Sequence, residues 1–303
     1  MSVRIHPIVL SHRSAADVVR AACTEALVAM IRYRAQTIRF QEEPIHQMRV
    51  GTRRLRAMLR VFASIMDEEW ASVLESELQW LAKTLGAARD LDVLRNRLNE
   101  AAKIESLMVQ RAVKTIDALL AKRHRDAKQA MKEALKSKRY ETILERLHEA
   151  QLAPQLTPEA EGPALDVLLP ALRNAWKKLV RKADALKQKE DALEFHAVRK
   201  SGKRLRYATE LLLGDFDPPL QKQAEKFIGA MKKVQDILGE LQDATVALVT
   251  VQQIEDRAES KRTSYESLVK MQKKFQAKSR KEFPRVWKKA EKEGNKKWMG
   301  ERP

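Results

Sequence analysis

The chain has 303 residues, of which 59 are Lys or Arg and 41 Asp or Glu, for a formal charge of +18. Its 9 glycines and 10 prolines are too few for a turn-rich all-β fold, and its composition, 44% hydrophobic and 33% charged, fits neither a disordered chain nor a membrane bundle. Such an excess of cation attracts polyanions, which leaves nucleic acid, an anionic membrane surface and polyphosphate as partner classes.

At the N-terminus only Ile8, Val9 and Leu10 form an unbroken apolar run, and nothing later approaches the ~18 apolar residues of a spanning helix. The expectation is a cytoplasmic protein without membrane insertion. The single cysteine, Cys23, forbids an internal disulfide. From 14 to 40 the apolar positions Val18, Val19, Ala22, Ala26, Leu27, Met30 and Ile31 recur at three- and four-residue steps, predicting an amphipathic helix capped by Ser14. Helical periodicity continues over about 45–65, 68–85 and 88–122 toward 136, with breaks expected near Glu43-Pro44, Asp67 and Gly86. The stretch 151–163, QLAPQLTPEAEGP, holds three prolines and a glycine and reads as a connection. Further helices are expected over 164–187, 192–213, 219–242 and 243–282, and the segment 261–303, with 15 basic and 5 acidic residues, as a loose basic tail.

The second series repeats the first. IHQMRVGTRRLR at 45–56 aligns without a gap to FHAVRKSGKRLR at 195–206, and LGAARDLDV at 85–93 to LGELQDATV at 238–246. Two motifs in the same order at nearly the same offset predict an all-α protein. It would comprise two similar helical bundles, residues 1–150 and 151–303, in a pseudo-twofold arrangement.

On a helix at about 100° per residue, His46, Arg49, Arg53, Arg56 and Arg60 share one arc about 80° wide, beside an apolar stripe of Ile45, Met48, Leu55, Leu59 and Phe62. His196, Arg199, Lys203 and Arg206 form the corresponding arc of the second half, where Glu210 replaces Arg60. No acid falls between Glu43 and Asp67 or between Glu194 and Glu210. Each interval holds five cations: Arg49, Arg53, Arg54, Arg56 and Arg60 in the first, Arg199, Lys200, Lys203, Arg204 and Arg206 in the second. Like charges at helical spacing cost about 0.2–0.5 kcal/mol per pair, so an external anion is expected to relieve them. Guanidinium donates bidentately to phosphate oxygens and stays charged, and the roughly 15 Å from His46 to Arg56 would meet several phosphates of one chain. His46 and His196 read as neutral donors, as cations or as core residues satisfied by a carbonyl. Neither has a partner at metal-ligand spacing, so no metal or other cofactor is expected. Asp90, Asp92 and Asp243 read as caps or salt-bridge partners that orient the cations.

The paired H-x-x-R-x-x-x-R/K-R-L-R elements, each followed by L-G-x-x-x-D-x-x-V, resemble the conserved histidine α-helical domain family, usually called CHAD, over roughly 12–290. His46, Arg49, Val50, Arg53, Arg54 and Arg56, then Leu85, Gly86, Arg89, Asp90, Asp92 and Val93, stand where the family's first half has its signature. His196, Arg199, Lys203, Arg204, Arg206, Tyr207, Gly239 and Asp243 do so for the second. The resemblance implies two four-helix bundles around a basic central groove or pore, binding of inorganic polyphosphate without catalysis, and association with polyphosphate granules and their proteins. The alternating E-x-E-x-K strands of the triphosphate-tunnel domains fused to some relatives are not found, so the chain reads as a stand-alone module. Glu210, and Gln242 in the place of Arg89, are expected to weaken the second arc. The alternative is a nucleic-acid-binding helical protein, although aromatics for stacking are only 5% and Tyr207 alone interrupts an arc. A polyphosphate-processing enzyme is the other alternative, for which neither a Gly-rich phosphate loop nor a metal-holding carboxylate cluster is found. Nucleic acid is otherwise expected to bind non-specifically.

Overall fold

The computed structural model describes residues 13–103, 105–186, 191–255 and 262–299; the apolar run Ile8–Leu10 lies outside them. Among the described residues the chain is all-α. The helices are α1 (Ala15–Ile38), α2 (Glu42–Val61), α3 (Glu68–Ala102), α4 (Leu107–Leu135), α5 (Lys138–Leu152), α6 (Ala164–Ala185), α7 (Ala192–Leu211), α8 (Pro218–Glu255) and α9 (Arg262–Gly294), joined by short 3-10 turns.

Local chemistry sets the helix starts. Ser14 and Asp17 form a reciprocal capping box on α1. Asp67 accepts from the amide of Trp70 at 2.8 Å on α3, and Asp217 from that of Leu220 at 3.0 Å on α8. Pro44 falls in the first turn of α2, where a missing N–H costs nothing, and the break expected near Glu43-Pro44 lies just before it, between Ile38 and Glu42. Two other expected breaks are absent. Helix α3 runs through Gly86 and α8 runs through Gln242-Asp243, because Leu81, Leu85 and Ala88 in the first and Leu238, Leu241 and Ala244 in the second carry a buried face across these positions. Where one helix was expected from 88 to 136, α3 ends at Ala102 and α4 begins at Leu107. Among the described residues five α-helices begin within 1–150 and four within 151–303.

One core joins α1, α2, α5, α6 and α7 with the near ends of α3 and α8. Cys23 sits inside it with no exposure, and burial pushes its thiol up to about 12. A smaller core, containing Leu94, Leu98, Val113, Ile116, Val251 and Leu268, lies among the far ends of α3 and α8 and parts of α4 and α9. The connection around 151–163 is held on the body: the amide of Asp67 donates to Gln155 O and that of Ala15 to Gly162 O, both at 3.0 Å. Arg13 ties the start of α1 to the turn after α7, donating to Asp215 at 2.6 and 2.7 Å.

Over 262–299 the basic C-terminal segment is not a loose tail. It forms α9 and a 3-10 turn, and Phe283, Trp287, Ala290, Trp298 and Met299 are buried in the main core. Trp298 packs against Phe227 and Phe216 with ring centroids 5.1 and 5.9 Å apart. Trp176 lies so close to Gly294 that a side chain there would collide with the indole. Charge counting hid this face, because the cations of the segment occupy its outer side.

Candidate functional site

Helices α2 and α7 pack against each other, and their histidine-bearing ends open on a cavity of about 720 Å³. His46, Arg49 and Arg53 reach it from α2, Arg89 from α3, and His196 and Arg199 from α7. The remaining expected site residues lie elsewhere along the two helices.

Arg49 is the most constrained first-half cation. Its Nη2 lies 3.3 Å from Asp90 Oδ1 and its Nη1 donates to Gly86 O at 3.5 Å. A methyl group at Gly86 would lie 3.8 Å from the guanidinium, so glycine leaves that face uncovered in the middle of a helix where it otherwise costs ~1 kcal/mol. Arg53 crosses to the second half, its Nε donating to Tyr207 Oη at 3.3 Å, and the Tyr207 ring carries Arg206 at 4.2 Å. Arg199 is largely buried, and its Nε has no hydrogen-bond partner among the described residues. Burial lowers the pKa of both Arg49 and Arg199, opposed by Asp90 for the first and by Asp243 and Asp90 for the second. Asp243 is itself raised, chiefly by burial.

Lys203 joins this group electrostatically. Burial first, then Arg199, Arg53 and Arg206, push its ammonium down to about 8. The unfolded chain, with an ordinary lysine near ~10.4, holds more protons than the folded one between those values. Stability therefore rises with pH across that window, and the penalty of burying the charge is complete below it. Lys203→Met is expected to stabilise the protein at pH 7, with the advantage shrinking to nothing by about pH 10.5. Urea unfolding at pH 7, 9 and 10.5 measures this, and an advantage independent of pH contradicts it.

The other cations are engaged with acids from neighbouring turns. Arg56 donates to Glu75 Oε1 through Nε at 2.9 Å and Nη2 at 2.8 Å, and Arg60 reaches the same oxygen at 2.7 Å. Arg204 lies near Arg56, Arg60 and Glu75. Arg206 donates to Gln235 at 2.9 Å and pairs with Glu210, which also lies 3.7 Å from Arg54. Lys200 is exposed. Thus the acid-free run along α2 is not acid-free in space, because α3 brings Glu75 to it. Glu210, expected to weaken the second arc, pairs with Arg206 and Arg54 rather than with Arg199. Gln242, the other expected weakness, accepts from His196 Nδ1 at 2.7 Å and so orients that ring.

Several cavity residues carried no sequence signal. Phe40 has φ 63°, in the left-handed region that Gly usually fills at a helix end. Its amide donates to Thr37 O at 2.9 Å and that of Gln41 to Gln36 O at 3.1 Å, closing α1 in a Schellman turn. The ring so placed lines the cavity, with the ammonium of Lys128 5.5 Å from its centroid. Carboxylates also line the cavity: Glu42, Glu43, Asp90, Asp92 and Asp243 stand against Arg49, Arg53, Arg89, Lys128 and Arg199. Asp90 orients Arg49, while Asp92 lies 2.9 Å from Nε2 of the buried His124 on α4. The arrangement sets two largely buried guanidiniums, Arg49 and Arg199, beside exposed acids such as Glu42, Glu43 and Asp90. It can take an extended anion whose oxygens replace the carboxylate on Arg49 and complete the bonding of Arg199. Among the described residues no group of three or more His, Cys, Asp or Glu is placed to hold a metal, and no helix is long and apolar enough to cross a membrane.

The model of the CHAD domain family matches residues 21–252. Two uncharacterized proteins from strains of Mycobacterium tuberculosis, MT2285 and Rv2226, are 27% identical over 237 residues, covering 77% of this chain and 44% of their own length. The chain thus spans less than half the length of these curated relatives. Among solved structures, PptA from Streptomyces chartreusis superposes with a TM-score of 0.73 at 22% identity, over 90% of this chain and 98% of that one. The CHAD domain from the plant Ricinus communis superposes at 0.72 and 23% identity, over 96% of each. Both show that the fold is shared. Helix α9 lies beyond the part of the chain that the family model matches.

Proposed function

Because the chain belongs to the CHAD domain family, we propose that it binds inorganic polyphosphate in the cavity at the histidine ends of α2 and α7, without turning it over, and that it does so at polyphosphate granules. The observation that carries this reading is Arg199, a largely buried guanidinium whose Nε lacks a partner among the described residues and which faces the same cavity as Arg49 and Arg53. An unsatisfied buried donor of a charged group costs more than a neutral one, and phosphate oxygens satisfy it with strong, charge-assisted bonds. A flexible phosphate chain can thread such a cavity, whereas a duplex holds its phosphates on a rigid outer helix. The two motif copies are read here as duplicated halves of one binding unit, related by a pseudo-twofold axis.

Titration with polyphosphate of defined length over a range of salt concentrations tests the reading. Neutralising phosphates on Arg49, Arg53 and Arg199 releases counterions, so log affinity is expected to fall against log salt with a slope of about −0.7 per contact, roughly −2 in all. Duplex DNA at equal phosphate concentration is expected to compete weakly. A flat salt response overturns the electrostatic basis, and DNA that competes as well as polyphosphate favours a nucleic-acid-binding role. Release of orthophosphate from the bound chain would overturn the non-catalytic part.

A further inference from the structure

A second concavity, of about 480 Å³, lies on α9 and is lined by Lys273, Gln276, Ala277, Arg280, Lys281 and Pro284. These residues share one face of the helix at three- and four-residue steps. The face differs from the main cavity in one decisive respect: among the described residues no carboxylate lines it, whereas five line the other. Between Glu266 and Glu282 the chain has no acid and six cations, Lys270, Lys273, Lys274, Lys278, Arg280 and Lys281. Lys273 and Lys281 are exposed, so neither charge is spent on the core.

The position of this face is fixed by two contacts toward the main cavity. Gln276 Nε2 donates to Thr245 Oγ1 at 2.9 Å, and Thr245 precedes Val246, which lines the main cavity. The guanidinium of Arg280 stands 5.7 Å from the ring centroid of Phe195, the residue before His196. The α9 face therefore borders α7 and α8 at the residues next in chain to those that line the main cavity. It also lies outside the matched family region, which ends at 252. An anion held by His196 and Arg199 has acids beside it at Asp243 and Asp90 and, beyond α8, a basic face without a lining acid among the described residues.

We propose that α9 is an accessory binding face for the same extended phosphate chain, with the exposed Lys273 and Lys281 holding the segment that emerges from the main cavity. This rests on the polyphosphate reading of the cavity, and it assigns α9 the role of selecting for chain length. A short anion is satisfied by Arg49, Arg53 and Arg199, whereas only a long one reaches α9.

Two double variants of the full chain, each losing two exposed lysines from α9, test the proposal. Lys273→Gln with Lys281→Gln removes the two exposed lysines of the face, and Lys278→Gln with Lys289→Gln removes equal charge from positions about 130–150° around the helix. Each variant and the unmodified protein are titrated with tripolyphosphate and with a long polyphosphate chain. The face variant is expected to lose about fivefold to tenfold in affinity for the long chain and less than about twofold for tripolyphosphate, while the control loses less than about twofold for both. Equal losses in the two variants mean that bulk charge acts and overturn the α9 face. Equal losses for the two ligands in the face variant overturn the selection for length. Failure of the unmodified protein to bind either ligand overturns the cavity reading itself, and the extension with it.

Discussion

Replacing Arg49, Arg53 and Arg199 together by glutamine is expected to weaken polyphosphate binding by about a thousandfold, while replacing Lys288, Lys289 and Lys292 changes it by less than about threefold. The two sets remove the same charge. The first removes guanidiniums that face a cavity, two of them largely buried, and the second removes exposed ammonium groups on α9. A hydrogen bond to a charged group is worth about 1.5–3 kcal/mol, and three would sum to more than a thousandfold. The estimate is lowered because Arg49 gives up Asp90 on binding. Lys288, Lys289 and Lys292, which line neither the cavity nor the α9 face, contribute only screened attraction. A third set separates binding from folding. Arg56→Gln with Arg60→Gln leaves the cavity intact but strips Glu75, whose side chain is only 17% exposed, of its partners. That variant is expected to keep its affinity and lose about 1–3 kcal/mol of stability. Titration calorimetry and urea unfolding on the three variants decide the matter, and equal affinity losses in the cavity and α9 sets would refute the site.

Ending the chain after Ala290 is expected to abolish cooperative folding rather than to trim a dispensable tail. The cut removes Trp298 and Met299 from the main core, and Asn295, whose Oδ1 accepts from Trp176 Nε1 at 3.1 Å. Trp298 alone is 1% exposed, donates through its indole to Glu293 O at 3.0 Å and packs on two phenylalanines. Trp298→Ala is expected to cost about 3–5 kcal/mol, a large fraction of the 5–15 kcal/mol typical of a whole domain. Circular dichroism and thermal unfolding measure both variants. A truncated chain that melts cooperatively at the original temperature would show that the C-terminal turn packs without holding the core.

The contrast between these predictions marks what the sequence displays and what it hides. Positions on one helix are legible, since the arcs of α2 and α7 follow from the angle per residue and from the order of their repeated motifs. Relations between helices are not. Glu75 is 19 residues from Arg56 and Asp90 is 41 from Arg49, so a run that is acid-free along the chain gains its acids in space. Gly86 reads as a helix break by propensity alone. It stays helical because Leu81 and Leu85 anchor α3 and because the glycine faces Arg49. Phe40 gives no sign of a left-handed turn, since the usual residue there is glycine. The C-terminal segment did carry a signal, in Phe283 and Trp287 four residues apart and Trp298 beyond them, but its fifteen cations outweighed these apolar side chains.

Cys23, enclosed by the main core with its thiol protonated well above neutral pH, has a practical consequence for chemical labelling. Thiol reagents attack the thiolate and need access to it, and the folded protein offers neither at this position. The natural chain thus already behaves as a background without a reactive cysteine. A thiol introduced at an exposed site on α9, such as Lys288, would be the one group a maleimide dye or spin label modifies. Distances between α9 and the body could then be followed as ligand is added, with the core left in its native composition.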